Sequence, residues 1–425
     1  VGGGDGFPIR MVQGEPGPVN SGQPGSRGTG RHVPPIRRTV NTRTDGRGFL
    51  ERSASMRVLV VTAPLLGYAQ SLVPLAWELR TAGHDVLVAT AGEAVRVAES
   101  GLPVANVARG FDLARTMRRM ALRNPVLARA ERAGRAGPRG VVTLFGEIND
   151  ELADGAVAVA DEWRPDLVVH DALAPVGALV AARRQVPAAL CDSTLYDGHY
   201  LSFAATRHLS YAGGRHGVSA PAPPAAVIRL APPSLAGPRP GWPMRFVPYD
   251  SGLVGAGQLD GPPPRPRIVV VASNPAGSDR ALMRAVARAA APVDADVVLV
   301  RPDLGTGPPL PANVRVVEWT PLSRLLPHSA GIVHHGGAAT VLSALIHGVP
   351  QLVVPDAGER RHNAGLVYRR GVGLVGGRRD ITPALLRRLV GQQSLAAAAA
   401  EVRAEMTSAP DPAEVAAKLA ELPAG

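Results

Sequence analysis

The sequence predicts an α/β protein of two doubly wound, Rossmann-like domains facing each other across a cleft. Three observations carry this. Short β-branched apolar runs recur along the chain and alternate with helical segments, the pattern of parallel strands buried on both faces. A proline-rich stretch, PAPPAAVIRLAPPSLAGPRPGWP (221 to 243), interrupts that alternation near the middle. The length of 425 residues suits two cores better than one.

Residues 1 to 55 stand apart from the rest. They include GEPGPVNSGQPGSRGTG and few large apolar side chains, so they cannot bury enough surface to offset the entropy of ordering. We expect a disordered tail there, or an extension ahead of a chain start at Met56. From Met56 onward the elements come in regular order. RVLVVTA (57 to 63) is a strand, PLLGYAQS a loop, and LVPLAWELRTAG a helix that stops at Gly83. DVLVAT (85 to 90) is the next strand, and GEAVRVAES an amphipathic helix after it. DLVVHD (166 to 171) and PAALCD (187 to 192) are strands with an alanine-rich helix between them. The prolines of 221 to 243 remove backbone donors and break turns, so that stretch reads as loop and closes the first half.

The second series holds strands RIVVVAS (267 to 273), DADVVLVR (294 to 301), NVRVVEW (313 to 319), GIVHH (331 to 335), QLVVPD (351 to 356) and GVGLVGG (371 to 377). A helix falls near 279 to 290, and the chain from about 381 reads as helices. The organisation expected is an N-terminal domain at 56–243, a linker at 244–266, a C-terminal domain at 267–400 and a closing helix at 401–425. Small molecules bind at the carboxyl ends of strands in such folds, so the cleft is where the site belongs.

Composition removes several function classes. One cysteine, Cys191, excludes an internal disulfide framework and a thiolate metal cluster. The net charge of +11 raises nucleic acid as a partner, but the basic residues are nearly all arginine and scattered, with no basic helix, so nucleic-acid binding is not expected. No run approaches the roughly eighteen apolar residues of a membrane span, and no apolar segment follows the first residues as a secretory signal would. A cytoplasmic protein without a membrane span is the expectation.

GIVHHGGAAT (331 to 340) carries the most chemistry. Its glycines let the backbone turn tightly after a strand, and a helix beginning near Ala338 would face an anion with its free N–H groups. A purely structural strand–turn–helix is the alternative. His334 and His335 are adjacent and so point to opposite faces of a strand, which makes them a poor metal pair: one can touch an anion while the other packs inward. Trp319 ends a strand and can stack on a base or simply bound a core. His170 and Asp171 end DLVVHD at the same edge, where Asp171 can polarise a catalytic group or cap a helix.

Together these residues resemble a known family. NVRVVEWTPLSRLLPHSAGIVHHGGAATVLSALIHGVPQLVVPDAGERRHNA (313 to 364) is similar to the donor-binding signature of the family 1 inverting glycosyltransferases of GT-B fold, above all the actinobacterial enzymes that attach deoxysugars to antibiotics. TAPLLGYAQSLVPLAWELRTAGHDVLVAT and RFVPYDSG (245 to 252) resemble the same group, and the likeness covers 56 to 425. It implies a base stacked on Trp319 with the Thr320 backbone beside it. It implies a diphosphate contacted by His334 and cradled by Gly336, Gly337, Ala338 and Ala339. Glu359, Arg360 and Asn363 fall where the family holds the donor sugar, and Asp171 where an aspartate pairs with the catalytic histidine. The implied co-substrate is a dTDP-sugar, with no metal or other cofactor, and the implied partner is a natural-product aglycone held by loops at 111 to 146 and 193 to 220. A homodimer is left open.

The sequence departs from the pattern in three places. Tyr68 stands where the family has its basic histidine, and a phenol of ordinary pKa near 10 is a poor base at pH 7. Asp171, or less readily His170 or His199, then serves as base; or the acceptor needs little deprotonation; or the protein binds donor without turning it over, as an auxiliary of the same fold. Arg360 replaces an amide and cannot accept a hydrogen bond, which points to an unusual or deoxygenated sugar. Ala339 replaces a glycine but keeps its N–H. Transfer of a deoxyhexose with inversion is the expected reaction, against a non-catalytic auxiliary, a nucleotide-sugar epimerase or a plain nucleotide-binding module.

Overall fold

The computed structural model describes residues 55–133, 135–249, 259, 261–271, 280–300, 304, 307–318, 320–356 and 358–423. Two parallel sheets organise them. The first contains β1 (Arg57–Val61), β2 (Asp85–Thr90), β3 (Val104–Asn106), β4 (Leu167–Asp171), β5 (Ala188–Asp192), β6 (Ala226–Arg229) and β7 (Trp242–Pro243), in the order β3-β2-β1-β4-β5-β6-β7. The second contains β8 (Arg267–Val271), β9 (Asp296–Val300), β10 (Val314–Val317), β11 (Gly331–His334), β12 (Gln351–Val353) and β13 (Gly373–Val375), in the order β10-β9-β8-β11-β12-β13. The valine and isoleucine runs of β1 and β8 are buried on both faces, as parallel strands covered by helices require.

Strand order reverses between β1 and β4 in the first sheet and between β8 and β11 in the second. Loops leaving the two strands at such a point run in opposite directions and open a crevice at the carboxyl ends. Tyr68 follows β1, Asp171 ends β4, and the paired histidines stand at the end of β11. The fold therefore brings the sequence's chemistry to two reversal points.

Several elements differ from the sequence reading. The first helix spans Leu66–Thr81 and starts six residues earlier than its apolar pattern suggests, so Tyr68 lies in its first turn. GEAVRVAES forms a 3-10 helix, Gly92–Ser100. The proline-rich stretch supplies β6 and β7 at the sheet edge; β6 is AVIR, a proline-free segment that can offer its full set of donors. The presumed acceptor loops are largely helical, containing Leu113–Arg123, Pro125–Arg132 and the start of Pro138–Trp163, then Gly198–Thr206 and Ser210–Arg215.

The end of the chain returns to the first half. Helix Gln393–Ser408 runs through the expected boundary at 400, and the break comes at Pro410, after which Asp411 and Glu414 cap helix Pro412–Ala420 reciprocally. Val415 and Leu419 of that last helix join one apolar cluster with Leu72, Leu75 and Leu79 of the first helix. The Arg245 N–H donates to the Pro410 carbonyl at 2.7 Å, and the Ser234 N–H to Glu405 at 3.0 Å. Continuous apolar burial ties the two halves together there. The tail at 1 to 54 and residues 250–258 and 260 of the linker lie outside the described residues.

Candidate active site

The turn after β11 is built around Gly336. Its φ of 95° is a left-handed conformation that side-chain-bearing residues rarely adopt, and a Cβ there would lie 2.8 Å from Val353 Cγ1 and 3.0 Å from the Arg360 carbonyl oxygen. Gly337 then caps helix Ala338–Ile346 without a side chain in the way. The N–H groups of Ala338, Ala339 and Thr340 have no intrahelical acceptor and stand at the positive end of the helix dipole. Such an arrangement suits an anion with several oxygens.

Buried polar side chains hold that turn from below. The Gly336 N–H donates to His334 Nδ1 at 3.1 Å, and the Gly336 carbonyl accepts from Asn363 Nδ2 at 2.8 Å. With Nδ1 accepting, the proton of a neutral imidazole sits on Nε2, which lies 2.9 Å from Gln351 Oε1 and donates to it. Burial pushes the His334 pKa down to about 4, which keeps the ring neutral. His334 is wholly buried with both ring nitrogens engaged. The expectation that it touches the diphosphate is therefore corrected: it positions the turn. Asn363, equally buried, braces the same glycine through its Nδ2, while its Oδ1 has no partner among the described residues.

His335 faces the other way. It is half-buried, its Nδ1 has no hydrogen-bond partner, and its Nε2 lies 2.8 Å from where a Cβ on Gly337 would sit. Burial first, then the Arg360 cation and His334, push its pKa down to about 3. A neutral histidine at the mouth of the glycine turn can donate a hydrogen bond to an anion without competing as a cation.

Glu359 opens helix Glu359–Arg370, and Tyr68 donates its phenolic hydrogen to Glu359 Oε1 at 2.7 Å, from the first half to the second. Burial raises the Glu359 pKa, opposed by that hydrogen bond and by Arg360. Arg360 folds back onto Asp356 at 2.7 Å, so its guanidinium is paired within the second half. Thr320 Oγ1 donates to the Glu318 carbonyl. Trp319 lies outside the described residues.

Neither acidic nor imidazole candidate of β4 reaches the cleft as a free base. Asp171 is fully buried; its Oδ2 accepts from the Ala63 N–H and its Oδ1 from the Leu173 N–H, each at 2.6 Å. Burial pushes its carboxyl up to about 7, against the pull of the Ala63, Leu173 and Ala174 N–H groups. This carboxylate ties the loop after β1 to the turn after β4. His170, one residue earlier, points to the opposite face and packs under Gly177 of helix Val176–Arg184, where a Cβ would meet its own at 2.4 Å. Burial lowers its pKa to about 4, and its role as base is corrected to a packing one.

Three contributors escaped the sequence reading. Gln351, which fixes the His334 tautomer, is a lone polar residue at the head of a buried strand. Asn149 donates to the Phe145 and Leu173 carbonyls and accepts from the Val176 N–H, pinning the turn beyond Asp171. His362 stacks on Tyr196 with centroids 3.9 Å apart, a second contact across the cleft. An unpaired polar residue in an apolar run is a usable signal for the first two; nothing local announces the third.

Two doubly wound sheets, with a left-handed glycine turn opening a helix in one half and a tyrosine–carboxylate hydrogen bond joining it to the other, fit a GT-B glycosyltransferase. The chain belongs to the family described as Erythromycin biosynthesis protein CIII-like: residues 77–272 match its N-terminal domain and 284–422 its C-terminal domain. It is 35% identical over 379 residues to the elloramycin glycosyltransferase ElmGT of Streptomyces olivaceus, covering 86% of this chain and 97% of that protein. It is 30% identical over 434 residues to the aclacinomycin-T 2-deoxy-L-fucose transferase of Streptomyces galilaeus, covering 87% and 96%. Among solved structures, the glycosyltransferase SsfS6 of Streptomyces sp. SF2575 complexed with thymidine diphosphate is similar at TM-score 0.72 and 28% identity, covering 86% of this chain and 99% of that one. The chain is a glycosyltransferase.

Proposed function

We propose that this enzyme transfers a deoxyhexose from a thymidine diphosphate sugar to a hydroxyl or another nucleophile of a natural-product aglycone, with inversion at the anomeric carbon. The observation that carries this reading is the Gly336 turn and helix start, a preformed anion site beside a carboxylate, Glu359, suited to sugar hydroxyls. The thymidine diphosphate held by SsfS6 and the deoxysugar named for the aclacinomycin enzyme support the donor. In this reading the diphosphate lies against the N–H groups of Ala338 and Ala339 and the His335 ring. Those donors are fixed before reaction, so they stabilise the charge that develops on the leaving group without reorganising. The helices at 113–132 and 198–215 of the first half hold the aglycone, and cleft closure excludes water.

Calorimetric titration with thymidine diphosphate and uridine diphosphate tests the donor site. Tight binding of the thymidine nucleotide is expected, weakened by Trp319→Ala. His335→Ala should weaken it by roughly 10- to 100-fold, since a hydrogen bond to a charged group is worth about 1.5–3 kcal/mol, at little change in Tm. His334→Ala should instead lower Tm, because it leaves the Gly336 N–H and Gln351 buried without their partner. Failure of both nucleotides to bind would sink the reading. Transfer assays with deoxysugar donors then separate it from epimerisation, which would alter or hydrolyse the donor without consuming an aglycone.

A further inference from the structure

The hydrogen bond between Tyr68 and Glu359 joins residues 291 positions apart, from opposite halves of the molecule. Tyr68 is aimed rather than swinging: its ring packs edge-on against Phe145, centroids 6.3 Å apart at 76°. Glu359 begins the helix whose next carbonyl, that of Arg360, closes over the Gly336 turn. The pair therefore stands beside the anion cradle, on the line where the two halves meet. Tyr68 alone is a weak base. Burial, then Glu359, push its pKa well above 10, so the phenolate is out of reach at neutral pH. The carboxylate of Asp171 is committed to backbone donors and His170 packs against Gly177, whereas Glu359 Oε1 is held directly by the Tyr68 hydroxyl.

We propose that Glu359 is the proton acceptor of sugar transfer and that Tyr68 relays the proton to it. The inference rests on the transfer reaction proposed above. As the acceptor oxygen bonds to the anomeric carbon and the bond from that carbon to the diphosphate oxygen breaks, the acceptor proton passes to Tyr68 Oη. The phenolic proton passes at the same time to Glu359 Oε1. Tyr68 stays neutral throughout, the carboxylate is neutralised, and the diphosphate leaves with the bonding electron pair. A tyrosine in the base position thus needs no lowered pKa, because it hands on one proton as it takes another.

The groups facing the pair are Asp171 and Tyr196 from the first half, Glu131 of helix Pro125–Arg132, whose Oε1 would lie 3.3 Å from a Cβ on Gly358, and Arg360 on the helix of Glu359 itself. Their balance leaves the Glu359 pKa above its ordinary value. The rate should therefore be lost as pH falls through a midpoint higher than that of a free glutamate.

Glu359→Gln separates the relay from a mere latch. The glutamine oxygen still accepts the Tyr68 hydrogen bond, but the amide takes no proton. We expect kcat to fall roughly 10²–10⁴-fold with thymidine diphosphate affinity and Tm unchanged, as for loss of a general base, and the acid limb of the kcat/KM profile to disappear. Tyr68→Phe should lose a similar factor, and the double variant little more, since the two act as one unit. Glu359→Asp should recover part of the rate. Wild-type transfer with Glu359→Gln within about threefold of it would overturn the relay and leave only a cleft contact. Absence of transfer by the wild type would instead remove the reaction on which the relay rests.

Discussion

Gly336→Val is expected to weaken thymidine diphosphate binding by roughly a hundredfold or more, the left-handed backbone alone costing about 1–2 kcal/mol for a residue with a Cβ. The steric part adds to this. Val353 Cγ1, at 2.8 Å from the new Cβ, is the end of a side chain and can give way a little; the Arg360 carbonyl at 3.0 Å is backbone and cannot. The turn must shift, and with it the hydrogen bonds from its N–H to His334 and from Asn363 to its carbonyl. A displacement of even an ångström misaims the N–H groups at the head of helix Ala338–Ile346, whose value lies in being fixed in advance. Calorimetry and thermal unfolding on the same samples check this, affinity being expected to fall proportionately further than Tm. Native affinity in this variant would mean that the diphosphate binds elsewhere.

What the sequence made legible was what it encodes locally. The strand runs declare themselves because parallel strands are apolar on both faces, and GIVHHGGAAT declares a turn because its glycines are the residues that such a turn tolerates. Alternation said that His334 and His335 face opposite ways. It could not say which faces the core, since that depends on Gln351 and Asn363, 17 and 29 positions further along the chain. The resemblance implied a base position for Tyr68 and a sugar site for Glu359 without indicating that the two touch, because they lie 291 positions apart and nothing local to either names the other. The return of the C-terminal helix to the first half was hidden for the same reason. Its apolar face, Val415 and Leu419, reads as amphipathic, and amphipathicity names no partner.

Asp171 carries the second large effect, and it separates bracing from catalysis. Asp171→Ala removes the acceptor for the Ala63 and Leu173 N–H groups and the attraction on the Ala174 N–H, in a place with no water-exposed surface. Each buried donor left without a partner costs about 1–3 kcal/mol, against a total stability of order 5–15 kcal/mol. The urea midpoint should therefore drop substantially, and activity should be lost with it, because the loop from Ala63 to the first turn of helix Leu66–Thr81 is what delivers Tyr68 to Glu359. Asp171→Asn keeps one acceptor oxygen but sets an NH2 against a backbone donor, so an intermediate loss of stability is expected, with a reduced rate that improves as temperature is lowered. A base would behave differently: either substitution would leave a normally folded enzyme with its rate gone at every temperature and its acid limb abolished. Native stability with that kinetic defect would return Asp171 to the proton transfer; the pattern expected here makes it the brace that holds the tyrosine in place.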